Sequence, residues 1–157
     1  MNELEKYITG LEKLKEDMPK LMNALVVGEG VNIVDEAKRI CTQEKIVNTG
    51  NYRNQWECSK KALRNGDRYY VRVFNNCDYA THLEYGFRAH FVPGEWMGNS
   101  FKYIRGYKKG MYVGKKNGVV PGHYTLHRAM SRTFATQAAR IQLRTEAWVK
   151  TYTEGKA

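Results

Sequence analysis

The chain has 157 residues, 42% apolar and 27% charged, which suits one modest globular core and argues against general disorder. Its 26 Lys/Arg against 16 Asp/Glu leave a formal net charge of +10, an excess that favours a polyanionic neighbour without naming one. No apolar run approaches the roughly 18 residues of a membrane span, and the first residues lack the basic and apolar stretches of a signal peptide, so secreted, transmembrane and coiled-filament readings fall away.

Leu4, Tyr7, Leu11, Leu14, Met18, Leu21 and Leu25 alternate steps of three and four, the spacing of one apolar helix stripe. Pro19 is expected to kink this helix or to open a second one. Gly28 and Gly30 mark another weak point, after which Ile33, Ala37 and Ile40 share a helical face that ends near Cys41. The stripe is short for a coiled coil and predicts cover over a sheet or a neighbouring subunit, so Leu11 and Leu14 are candidate interface residues.

Asn48-Thr49-Gly50-Asn51 is a turn signal. Residues 56–62 read as a strand, Asn65-Gly66 as a hairpin turn, and residues 68–74 as the strongest strand of the chain. Residues 79–85 are expected to be extended. Cys41, Cys58 and Cys77, 17 and 19 residues apart, form neither a disulfide framework nor a metal knuckle and are expected to be reduced thiols in a cytosolic product.

From Gly86 to Gly122 the chain holds eight of its 14 glycines, and Gly106, Gly110, Gly114, Gly118 and Gly122 end five consecutive tetrads. A helix with that repeat loses about 1 kcal/mol per glycine, so the segment is read as a flexible hairpin arm or a surface for close backbone approach. Pro121-Gly122-His123 is expected to open a closing helix over residues 121–150 that carries Arg128, Arg132, Arg140 and Arg144 at helical spacing. Charge is segregated: residues 1–46 hold seven Lys/Arg and nine Asp/Glu, giving −2, and residues 47–157 hold 19 and seven, giving +12.

Catalytic patterns are weak. His123 and His127 are one turn apart, but residue 124 is Tyr where a zinc-protease helix has Glu, and no third ligand is evident. Gly28-Glu29-Gly30 lacks a third glycine and a preceding strand. Asp35-Glu36-Ala37-Lys38 matches half of a metal-nuclease signature, yet it lies in a predicted helix without the second carboxylate that would hold Mg²⁺. No catalytic, metal or cofactor residue is assigned, and the chain is read as a non-enzyme.

Three segments in order carry a resemblance. They are Val47-Asn48-Thr49-Gly50-Asn51-Tyr52-Arg53-Asn54-Gln55-Trp56, then Tyr79-Ala80-Thr81-His82-Leu83-Glu84-Tyr85-Gly86, then Val120-Pro121-Gly122-His123-Tyr124-Thr125-Leu126-His127-Arg128-Ala129. Together they resemble the tail-completion, or head–tail joining, family of long-tailed phages and prophages, whose members read D-T-G-x-L-R-x-S, Y-A-x-x-x-E-[FY]-G-T and P-G-x-x-x-L-x-x-A. Asn48, Gln55 and Phe87 depart from that pattern, and the glycine tetrads look like an insertion.

The resemblance implies a small α+β subunit that oligomerises as a ring at the virion neck, with head-connector or adaptor and tail-terminator or tail-tube proteins as partners. Taken with the elements above, the expected architecture is a single domain over residues 1–157. A small antiparallel sheet (47–120), with a Gly-rich hairpin arm, packs against a helical region (1–41) and a closing helix (121–150). Leu11, Leu14, Glu84, Tyr85 and Gly110 are the expected subunit contacts. Arg128, Arg132, Arg140, Arg144, Lys108, Lys109, Lys115 and Lys116 are expected to face DNA passing non-specifically, or an acidic partner. A second reading is a free-standing basic protein that binds nucleic acid in packaging or regulation, with tyrosines among the bases as stacking platforms; no groove-entering module supports it.

Overall fold

In the computed structural model, which describes residues 2–46 and 50–154, the N-terminal stripe forms one helix and not two. Helix α1 (Glu3–Gln43) opens on a capping box, in which the Asn2 side chain accepts from the Glu5 N–H at 2.7 Å and the Asn2 N–H donates to the Glu5 carboxylate at 2.8 Å. Pro19 lies inside the helix. It removes one backbone bond, but the following turns bury Leu21, Leu25, Ile33, Val34, Ala37 and Ile40, and burial outweighs local propensity. The predicted weak point at Gly28 and Gly30 is likewise absent. A Cβ at Gly30 would stand 2.9 Å from a Val71 methyl, so this glycine admits a neighbour and does not end the helix.

The turn predicted at Asn48-Thr49 lies outside the described residues; Gly50, with φ of 80°, leads into α2 (Asn51–Asn54). Strand β1 (Trp56–Cys58) pairs with β4 (Val73–Asn75), and β2 (Leu63–Asn65) pairs with β3 (Arg68–Tyr70), all antiparallel. The predicted strands 56–62 and 68–74 are therefore each cut. Cys58 faces Val73 and Leu63 faces Tyr70, so residues 59–62 stand opposite residues 71–72, and a ladder cannot keep register across that mismatch. The Ala62 N–H turns to the Asn23 side chain of α1 at 2.8 Å. The Asn65-Gly66 turn is present, with Asn65 opposite Arg68.

The closing helix is two helices, α4 (Thr125–Phe134) and α5 (Gln137–Thr153). Pro121 ends a strand, and helix begins only at Thr125, so His123 and His127 do not share a helical turn. Helix α5 continues through Thr153, and the Tyr152 hydroxyl donates to Asp17 at 2.8 Å. Residues 155–157 lie outside the described residues.

By its contacts the chain divides into Met1–Cys77 with Thr125–Ala157, and an inserted unit, Asp78–Tyr124. The insert begins with α3 (Ala80–Tyr85), where an extended segment was predicted. Ala, Leu and Glu favour helix, and Thr81 is the only β-branched residue in the stretch. Strand β5 (Gly86–Arg88) pairs with β9 (Val119–Pro121), and β6 (His90–Met97) lies between β7 (Ser100–Tyr103) and β8 (Gly110–Val113). The fold is α+β: a long N-terminal helix, small antiparallel sheets and C-terminal helices.

Candidate functional site

Helix α1 runs antiparallel to α4 and α5 and is joined to them by a ladder of acids and arginines. Arg128 pairs with Glu44, Arg132 Nη1 donates to Glu36 at 3.0 Å, and Arg140 holds Glu29 through Nε at 3.1 Å and Nη2 at 2.6 Å. Glu29 is 5% exposed. Burying a carboxylate is costly unless it is paired, and the bidentate fork of Arg140 meets that need. The same Nη2 donates to the Thr133 carbonyl at 2.9 Å, at the end of α4, where the helix dipole favours a cation. One guanidinium thus ties α1 to the break between α4 and α5. Arg144 completes the series, its guanidinium lying where a Cβ on Gly28 would stand.

Glu36 sits at the centre of this ladder and also accepts from Arg39 at 2.6 and 2.7 Å. The Arg39 hydrogen bonds, and secondarily those of Arg132, hold its carboxyl below the usual glutamate range against an opposing effect of burial. The arginines that the sequence placed toward a DNA channel therefore reach α1 first. Sequence reasoning missed their partners. The available signal was Glu29, Glu36 and Glu44, spaced by seven and eight, against arginines spaced by four and eight.

Beside the ladder lies an apolar cleft of about 750 Å³. Leu14, Met18, Leu21 and Leu25 of α1 form one wall, Met130, Phe134 and Ile141 of α4 and α5 the opposite one, and residues 69–74 a third side. Leu14 is half-buried here, whereas Leu11 is 40% exposed, as are Tyr7 and Leu4 to greater degrees. The α1 stripe thus starts bare and ends in the core.

In the inserted unit, Glu84 is buried and its carbonyl accepts from the Tyr124 N–H at 3.0 Å. Tyr85 is 67% exposed and meets the Tyr124 ring edge-on. Gly122 lies against the Glu84 carbonyl, with no room for a Cβ, which explains why both motifs need a glycine where the chain crosses itself. Gly110 similarly fits under the Phe91 ring and the Val92 carbonyl. The tetrad glycines therefore serve turns and close backbone approaches. Lys108 and Lys109 precede β8, and Lys115 and Lys116 follow it. Lys116 lies 5.6 Å from the Tyr112 ring centroid, and among the described residues no ion pair involves these four lysines.

Cys41, Cys58 and Cys77 are free thiols, and burial raises the first two above their ordinary range. Among the described residues no helix is long and apolar enough to cross a membrane. Residues 5–86 match the family described as "Bacteriophage HK97-gp10, putative tail-component". No curated protein and no solved structure matches the chain.

Proposed function

We propose, from the premise that the chain belongs to the HK97-gp10-like family of phage tail components and is a structural protein of the virion tail, that it acts at the head–tail interface. There it completes the tail or joins it to the head connector, as a homo-oligomeric ring around the DNA channel, with the whole chain acting as one tail-completion domain. The observation that carries this reading is the family match over residues 5–86, which spans α1, the hairpin and α3. Support comes from the bare end of the α1 stripe and the open cleft beside it, which suit a chain that finishes its packing in an assembly.

The excess positive charge has a place in this reading. Residues 98–122 hold six Lys/Arg and no acid. Lys108, Lys109, Lys115 and Lys116 lead the contact with DNA. Arg128, Arg132, Arg140 and Arg144 add only the edges not turned to α1. Duplex DNA carries about one charge per 1.7 Å, and contacts limited to its backbone let any sequence pass.

The test is a joining reaction. Heads and tails from a phage lacking this chain are mixed with and without the purified protein, and infectious particles are counted. Restoration by the wild-type chain supports the reading, and full joining without it overturns it. DNA affinity of the assembled protein across a salt series tests the lumen: binding should fall steeply with salt, and no binding at low salt assigns the lysines to an acidic protein partner.

A further inference from the structure

We propose that the exposed sheet face around Phe91 and Tyr112 is a platform on which the bases of a single-stranded nucleic acid stack. The inference rests on the reading that the lysines of the insert face nucleic acid, and it requires no particular assembly of the chain.

Residues 87–122 lie beyond the stretch that matches the tail-component family, and they hold seven Lys/Arg against one acid, Glu95. The strand register sorts their exposed side chains onto two faces. Phe91 stands opposite Tyr112, and Glu95 opposite Lys102. Side chains alternate along a strand, so Phe91 and Glu95, four residues apart in β6, share a face with both partners. Trp96, opposite Phe101, belongs to the other face. Tyr107 is held to the first face by its hydroxyl, which donates to Glu95 at 3.4 Å. Phe91, Tyr107 and Tyr112 are between 37% and 47% exposed. The Phe91 and Tyr112 ring centroids lie 5.6 Å apart. A Cβ on Gly110 would stand 2.7 Å from the Phe91 ring, so this glycine lets the ring lie close on the backbone with its outer side bare.

Positive charge sits on the same face. The Lys116 ammonium lies 5.6 Å from the Tyr112 centroid, and Lys102 offsets Glu95 across the ladder. A base laid on these rings brings its phosphate next to a cation, the arrangement by which sheets hold single strands. The two features together select the occupant. An acidic protein segment would engage the lysines and leave the rings in water. A duplex keeps its bases stacked inside and offers phosphates to such a surface. A single strand meets both the rings and the charge.

The experiment uses the full chain and follows fluorescence anisotropy across a salt series. The probes are a labelled oligothymidylate, an abasic oligomer of equal length, a duplex and a polyglutamate peptide. Oligothymidylate should bind at least ten-fold more tightly than the other three. Phe91→Ala and Tyr112→Ala should each weaken it about ten-fold without changing its salt slope, and Tyr112→Phe should bind like wild type. Lys115→Ala with Lys116→Ala should lower the slope, whereas Trp96→Ala, on the opposite face, should change nothing. Ultraviolet cross-linking of the wild-type chain to a bromouracil oligomer should map to Phe91, Tyr107 or Tyr112, and needs no variant to fold. Equal affinity for the abasic oligomer or the duplex, or cross-links confined to Trp96 or to the helical unit, overturns the platform and leaves the lysine contact standing. Polyglutamate binding as tightly as oligothymidylate overturns it in favour of an acidic protein partner. No binding of any nucleic acid at low salt overturns the lysine reading and the platform with it.

Discussion

The helical unit and the inserted sheet unit use the same residue types to opposite ends. In the helical unit Arg128, Arg132 and Arg140 are fixed on glutamates, and the apolar stripe from Leu21 onward is buried. In the insert the cations are mainly lysines without an ion pair among the described residues, and Tyr85, Trp96, Met97 and Tyr103 are each at least 60% exposed. Arg forms planar, bidentate bonds, whereas Lys is a mobile point charge. The difference teaches that positive charge in this chain stands in two settings: three arginines join α1 to α4–α5, and the lysines of the insert have no ion pair among the described residues.

The largest effect that could break this comparison is at Arg140. Arg140→Ala leaves Glu29 buried without its fork and should cost about 3–5 kcal/mol in chemical denaturation. Lys108→Ala with Lys109→Ala should leave the same curve within about 0.5 kcal/mol. Equal costs would show that the two sets of cations do not differ. Next is the boundary of the apolar stripe. Leu14→Asp puts a charge at the cleft wall and should lower stability of the single chain by about 2–4 kcal/mol. Leu11→Asp should lower assembly far more than it lowers melting. Similar melting losses for both would place Leu11 in the folded core.

Acid should weaken the ladder at Glu36. The Glu36 carboxyl is depressed by Arg39 first and Arg132 second, so its contribution is fully present above the ordinary glutamate value, about 4.3. It is lost as pH falls through the lower folded value, because the unfolded state takes up the proton first. Denaturant midpoints from pH 7 to 3 should decline below about 4.3, and Arg39→Ala with Arg132→Ala should flatten part of that decline. An unchanged slope in the double variant would remove Glu36 from the account. The smallest effect concerns backbone order. Limited proteolysis of the free chain should nick within residues 108–116, and the assembled chain should resist; equal protection in both states would count against a partner for the arm.

Much of the fold was legible because its signals were periodic or local. The α1 stripe, the Asn65-Gly66 hairpin and a strand-rich, glycine-punctuated middle are read directly from spacing. What was not legible depends on contacts between distant residues. Pro19 and Gly30 look like helix breakers until the burial of Leu21 to Ile40 and the approach of Val71 are known. Residues 68–74 look like one strand until the mismatch with residues 59–62 is counted. The break at residues 135–136 has no glycine or proline to announce it; it lies where Arg140 reaches back to the Thr133 carbonyl. For the candidate site, the lysines were found as a basic cluster, but the glutamate partners of the arginines lie 84 to 111 residues away along the chain, beyond any local pattern.

The most direct measurement is the position of this chain in the virion. Electron cryomicroscopy of intact particles, with a small rigid tag fused after residue 157, should place the tag at the junction of head and tail, in a closed ring encircling DNA density. Tag density spread along the tail shaft or confined to its distal tip would contradict the account.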